Sequence, residues 1–312
     1  MAHLPKTLSG QPASSFAFGT MQFGQGTAPA DSPDIFDACR DAGINVFDTA
    51  FGYTGGASES ILGGLIQNDR DDLVIMTKCA HPGPSNRDTL TQQVETSRQR
   101  LNIDVIDVLF LHRWDPTTPL SETIGVMANL VANGTVRSVG VSNFSAWQVM
   151  KTQAVADTLG MRIDVIQPMY NLVKRQAEVE LLPMAMSENI AVTPYSPLAG
   201  GLLTGKYRNG QTGRITDNPE YASRYREDWT HDVAASLTDY AADAEMDPAT
   251  LAVAWAAKNP AITAPLVSGR NLAQLQPSLD AISFDMSNEM YGQLSAMTRT
   301  PPPATDRLEE TS

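Results

Sequence analysis

The sequence predicts a closed parallel (β/α)8 barrel, a TIM barrel with a long loop insertion after its seventh strand. Two positive observations and one exclusion lead there. Eight short apolar runs of strand type recur along the chain. Segments with helical period separate them, which sets strands side by side in parallel with helices outside. No glycine-rich dinucleotide fingerprint follows the first run, which argues against an open doubly wound sheet. GQG, from Gly24 to Gly26, is too short to serve as one.

The strand runs are FAFGTM (16–21), INVFDT (44–49), LVIMTK (73–78), VIDVLFLH (105–112), VRSVGVSN (136–143), DVIQP (164–168), IAVTPYS (190–196) and TAPLVSG (263–269). Their β-branched and aromatic content suits a buried sheet. Helical segments are expected at 31–43, 58–68, 86–102, 121–134, 145–160, 177–189 and 247–259. Ser121, with Glu122 beside it, reads as a helix start. Gly43, Gly134 and Gly160 read as left-handed helix ends. From Ala199 to Thr230 the rhythm breaks into a stretch rich in Gly, Asn, Arg, Tyr and Asp, expected to be a lid or binding loop. Tyr221, Tyr225 and Trp229 are its candidates for closing over a ligand. The barrel is expected to occupy residues 1–300, and the proline-rich, charged tail 301–312 to be disordered.

Composition narrows the function. The 312 residues are 42% hydrophobic and 18% charged, enough for a large packed core. A formal net charge of -13 argues against nucleic-acid or anionic-membrane partners, since both favour a basic face. The N-terminus lacks the basic-then-apolar pattern of a signal peptide, and no run is long enough to span a bilayer. A cytoplasmic protein is expected. Cys39 and Cys79 suggest neither a disulfide framework nor a metal site. Cys79 follows Lys78, so their side chains should point to opposite faces of one strand.

Four polar residues stand at or just past apolar runs: Asp48, Tyr53, Lys78 and His112. Taken singly, each has an ordinary structural reading as an ion pair, a packed ring or a satisfied core imidazole. In a parallel barrel, however, these strand ends converge on one pocket.

At this point the chain resembles the aldo-keto reductase superfamily. The matching stretches are GINVFDTAFGYTGGASESILGGLI, IMTKCA, DVIDVLFLHRWD, VRSVGVSNFS, IQPMYNLVKR, VTPYSPLAGGLLTGKY and PLVSGRNLAQL, spanning roughly residues 16–282. The resemblance implies NADPH-dependent interconversion of carbonyls and alcohols, with NADH as the other possible cofactor and a small carbonyl compound as substrate. Tyr53 would be the proton donor. A free phenol has a pKa of about 10, and a nearby ammonium lowers it. Lys78 is expected to do so, with Asp48 orienting it and His112 binding the carbonyl oxygen.

By the same resemblance Ser142, Asn143 and Gln167 bind the nicotinamide carboxamide, and Tyr195 stacks on its ring. Ser196, Leu198, Gly200, Leu202 and Lys206 line the pyrophosphate, and Gly19, Thr20 and Met21 pass under the cofactor. Ser268, Arg270 and Gln274 form the far phosphate end, with Arg270 expected on the 2′-phosphate. Here the chain departs from some branches. Val267, Ser268 and Gly269 stand where a lysine is common, and Pro277 and Ser278 replace an acid–amide pair. Phe23, Phe51 and Trp114 are candidates for an aromatic substrate wall.

Three other functional classes compete with this reading. GGLLTGKY resembles a phosphate-binding loop, but Tyr207 stands where magnesium chemistry needs Ser or Thr. A non-catalytic or slow nicotinamide-nucleotide sensor on the same fold is the main alternative. A metal hydrolase lacks ligand spacing among His81, His112 and His231.

Overall fold

A computed structural model of the chain describes residues 2–305, 307 and 309. Residues 306, 308 and 310–312, within the tail expected to be disordered, lie outside the described residues. The eight strands are β1 Ala17–Gly19, β2 Val46–Asp48, β3 Val74–Cys79, β4 Ile106–Leu111, β5 Val136–Ser142, β6 Val165–Gln167, β7 Ala191–Val192 and β8 Leu266–Val267. Each lies inside its expected run, except that β3 continues one residue further, to Cys79. All seven ladders are parallel, in the order β7-β6-β5-β4-β3-β2-β1-β8. The ring then closes. Thr263 N and Ala264 N donate to Val192 O at 2.9 and 3.2 Å, and Leu266 N donates to Pro194 O at 2.9 Å.

The helices after β1 to β6 are α1 Ser32–Asp41, α2 Ala57–Leu65, α3 Arg87–Leu101, α4 Leu120–Ala132, α5 Ala146–Asp157 and α6 Leu181–Ser187. Helix α4 begins one residue before the expected cap. Pro119 takes the N-cap position, with a ψ outside the helical range, and Ser121 lies inside the first turn. Gly43, Gly134 and Gly160 do take positive φ past their helices.

After β7 come 3-10 turns at Ala199–Thr204 and Lys206–Asn209, then α7 Arg214–Asp217, α8 Pro219–Arg224, α9 Asp228–Asp243 and α10 Pro248–Lys258. The phosphate-loop context is absent here, since Gly200 and Gly201 lie in one 3-10 turn and Lys206 opens another rather than an α-helix. Helices α11 Leu272–Ser283 and α12 Asn288–Ala296 follow β8. Trp255 of α10 stacks between Tyr170 and Tyr291, at 5.2 and 5.7 Å, and ties α12 to the body.

Strand alternation divides the core in two. Ala17, Val46, Val74, Met76, Val108, Phe110, Val165, Ala191 and Leu266 fill the barrel interior, with Leu4 from the N-terminal segment packed on them. Phe18, Phe47, Ile75, Leu109, Val139 and Ile166 point outward to the helices. Cys79 belongs to that outer layer, opposite Lys78 as expected. Gly140 is required inside. A Cβ there would run into the Phe110 ring and come within 2.9 Å of the Val165 carbonyl. Among the described residues, no helix is long and apolar enough to cross a membrane.

Candidate active site

The inward parity that sets apolar layers in the barrel brings polar residues to its C-terminal rim. Val46 leads to Asp48, Met76 to Lys78, Phe110 to His112, Gly140 to Ser142 and Val165 to Gln167. These strand ends open into a cavity of about 880 Å³. Asp48, Tyr53, His112, Ser142, Asn143, Gln167 and Tyr195 line it. Lys78 lies just beneath, 1% exposed.

At the floor Lys78 Nζ donates to Asp48 Oδ1 at 2.5 Å and to Thr49 O at 2.7 Å. Gln167 Nε2 donates to Asp48 Oδ2 at 2.9 Å, so both carboxylate oxygens are held. Burial disfavours both charges, raising Asp48 and lowering Lys78, while their mutual attraction opposes each shift. Lys78 Nζ lies 5.0 Å from the centre of the Tyr53 ring. The Tyr53 phenol stands above its ordinary value, not below it as the sequence suggested. Burial is the larger cause, followed by the Asp48 and Tyr221 side chains. His112 sits edge-on to Tyr53 at 5.7 Å, and His81 edge-on to His112 at 5.3 Å. Burial, then the Lys78 charge, depresses His112 to about 3, so its imidazole is neutral.

The turn carrying Tyr53 is clamped from below. Arg100 Nη1 donates to Phe51 O at 3.0 Å and to Glu59 Oε2 at 3.1 Å, and the Thr77 hydroxyl donates to Glu59 Oε1 at 2.7 Å. Gly56, with φ 99°, leaves room for that guanidinium, which a Cβ would strike. Thr54, Ala80, Asn143, Ser196 and Ala199 take positive φ on turns following strands β2, β3, β5 and β7. Strain gathered this way marks functional sites. Asn102, Asn189 and Glu245, the remaining non-glycine cases among the described residues, lie just past helix ends.

The expected cofactor residues divide by placement. Gly19, Met21, Ser196, Leu198, Gly200, Lys206, Ser268, Arg270 and Gln274 line the cavity. Thr20 is buried behind it, its hydroxyl bonded to Ser58 and the Asp48 carbonyl, and Leu202 packs into the core. Ser142 Oγ donates to Gln167 O at 2.9 Å, Asn143 Nδ2 to His112 O at 2.9 Å, and Tyr195 Oη to Asn143 Oδ1 at 2.7 Å. At the far end Ser268 Oγ and Ser278 Oγ are buried with no partner among the described residues, in a wall that also holds Arg270 and Gln274. Unpaired hydroxyls beside a guanidinium suit a phosphate-bearing ligand, so these residues fit a dinucleotide.

The expected aromatic wall is not brought to the cavity. Phe23 is fully buried against Phe18, Phe51 lies under Arg100, and Trp114 packs on Phe144 and Trp147. Of the three aromatics expected to close over a ligand, only Tyr221 lines the space. Tyr225 is buried beneath, accepting from Asn171 Nδ2, and Trp229 stacks with Arg299. The walls instead include residues the sequence reading passed over: Gln22, His81, Arg113, Arg214, Asn218, Glu220 and Arg224. For His81 and Arg113 a signal existed. Each lies within three residues of a catalytic candidate at a strand end.

Comparison with known proteins agrees with this geometry. A sequence model described as the aldo/keto reductase family matches residues 15–299. The chain is 32% identical over 291 residues to a probable voltage-gated potassium channel subunit beta of Arabidopsis thaliana, covering 88% of this chain and 89% of that one. It is 31% identical over 298 residues to the aldo-keto reductase YhdN of Bacillus subtilis, covering 90% and 88%. Over 211 residues it is 37% identical to aflatoxin B1 aldehyde reductase member 2 of Rattus norvegicus, covering 65% and 58%. These likenesses support an oxidoreductase, of a kind that generally works with NAD(P)H. With the match running through all eight strands and the whole cavity rim, the chain belongs to the aldo/keto reductase family.

Proposed function

We propose that the protein is an NADPH-dependent carbonyl reductase, converting an aldehyde or ketone to an alcohol with Tyr53 as proton donor. The observation that carries this is the buried Asp48–Lys78 pair beneath the Tyr53 ring, with neutral His112 at its edge. A bound reduced nicotinamide supplies the hydride. Ser142, Asn143, Gln167 and Tyr195 hold the nicotinamide end. Lys206 and the backbone from Ser196 to Gly200 hold the pyrophosphate, and Ser268, Arg270 and Gln274 hold the 2′-phosphate.

Each residue of the catalytic group has a distinct task. As the carbonyl is reduced, negative charge develops on its oxygen. The raised Tyr53 pKa keeps the phenol protonated at neutral pH, ready to give its proton to that oxygen. The O–H bond of Tyr53 breaks as the alcohol O–H forms, leaving a phenolate. The Lys78 charge stabilises that phenolate, and Asp48 keeps the lysine charged and in place. Neutral His112 has one N–H to donate to the carbonyl oxygen and no charge to pull the proton away. A positioned acid of this kind is worth about 10² to 10⁴ in rate.

The relative described as a channel subunit favours a second reading, a nicotinamide-binding regulatory subunit with slow or no turnover. One experiment separates the two. NADPH oxidation is followed with a panel of aldehydes and ketones, for the wild type and Tyr53→Phe. We expect turnover in the wild type, and in Tyr53→Phe a fall of about a hundredfold or more with NADPH affinity kept. Tight NADPH binding without turnover on any carbonyl selects the regulatory reading. Full activity in Tyr53→Phe removes the proton-donor role.

A further inference from the structure

The cavity is cationic in an acidic protein. Arg113, Lys206, Arg214, Arg224 and Arg270 line it, against Asp48, Glu220 and Asp247, while the chain as a whole carries -13. Asp48 is already neutralised by Lys78. Arg270 and Arg214 both press on Lys206 at the proposed phosphate end, where an anionic cofactor group would answer their charge. Arg113 stands apart from them. It follows His112 at the end of β4, and its charge presses on both His112 and His81.

Arg113 has no hydrogen-bond or ion-pair partner among the described residues. The nearest carboxylate in sequence, Asp115, is committed elsewhere. It accepts from Ser85 N, the Ser85 hydroxyl, Thr117 N and the hydroxyls of Thr117 and Thr118. The acid on the facing wall, Glu220, affects His81 less than Arg113 does. His81 in turn has a buried Nδ1 with no partner among the described residues. Two nitrogen-bearing groups without acceptors therefore flank the Tyr53–His112 pair, away from the phosphate end. A guanidinium free of protein partners beside a partnerless imidazole nitrogen suits a ligand that brings an anionic acceptor.

We propose that the substrate carbonyl compound also carries an anionic group, a carboxylate or a phosphate, and that Arg113, with His81 beside it, holds that group at the mouth of the site. This rests on the reductase reading for turnover, but not for binding. Because Arg113 is solvent-exposed, its interaction is screened, and the preference it confers is modest and salt-dependent.

The test compares matched substrates. One pair is 4-carboxybenzaldehyde and its neutral methyl ester; the other is glyceraldehyde 3-phosphate and glyceraldehyde. The quantity read is the ratio of kcat/KM, charged over neutral, with NADPH. We expect a ratio of about five or more in at least one pair at low salt. It should fall towards one in Arg113→Gln and be partly kept in Arg113→Lys. The pair that shows it tells carboxylate from phosphate. A ratio near one in both pairs, or a ratio untouched by Arg113→Gln, overturns the proposal. If no carbonyl compound is turned over, the reductase reading falls, and calorimetric binding of the four compounds to the NADP⁺ complex decides the subsite. Tighter binding of the charged member, lost in Arg113→Gln, supports it. Equal binding within each pair, or none, overturns it.

Discussion

His112 shows how one residue's surroundings set both its chemistry and its effect on stability. Burial and the Lys78 charge bring its pKa from 6.5 to about 3 in the folded protein. The unfolded chain therefore binds a proton below pH 6.5 that the folded protein refuses. The associated stability is fully present above 6.5 and is lost as pH falls towards 3. One such proton gives a slope of at most about 1.4 kcal/mol per pH unit. We predict that urea-derived stability falls between pH 6.5 and 5, and that His112→Gln removes close to one proton's worth of that slope. An unchanged slope in the variant would mean that His112 titrates normally. The identity of this imidazole was readable from its place after VIDVLFL. Its neutrality was not, because burial and the Lys78 charge belong to the assembled rim. The same limit reversed the expectation for Tyr53, where burial outweighs the ammonium.

Strands were legible because a buried parallel strand writes itself as an apolar run, and period-two alternation then tells which residues face inward. That rule alone places Lys78 and Cys79 on opposite faces, as they stand in the fold. It also accounts for Gly140, whose inward position is taken up by the Phe110 ring of the neighbouring strand. Gly140→Ala should destabilise by about 1 to 3 kcal/mol through overpacking, measured by urea denaturation. Combining it with Phe110→Ala should cost less than the two single changes summed, since the ring is the obstacle. Strict additivity would place the strain elsewhere. Loops carried no such code. Phe23, Phe51 and Trp114 looked like a substrate wall because they adjoin the motifs, yet Phe23 packs on Phe18, Phe51 on Arg100 of α3 and Trp114 on Phe144 and Trp147. The wall comes from His81, Arg113 and the segment 211–224, whose approach depends on how α7 and α8 fold back over the rim.

At the scale of the whole molecule, the acidic surface and the cationic cavity work against each other. A net charge of -13 repels an anionic dinucleotide at long range, and affinity depends on cations placed within contact distance. Salt screens exposed charges beyond about 8 Å at physiological ionic strength, so distant repulsion weakens first and close contacts persist longer. On the proposed reading, Arg270 is the contact expected to separate the two cofactors. It donates to Gln22 Oε1 at 3.3 Å from Nε, which orients the guanidinium in the wall that also holds the unpaired Ser268 and Ser278 hydroxyls. Charge-assisted hydrogen bonds are worth about 1.5 to 3 kcal/mol. Arg270→Ala should therefore weaken NADPH binding by about tenfold or more in fluorescence titration, while NADH binding changes by about twofold or less. Gln22→Ala should cost part of that selectivity by freeing the guanidinium without removing it. An equal loss for NADPH and NADH in Arg270→Ala would take the 2′-phosphate away from Arg270.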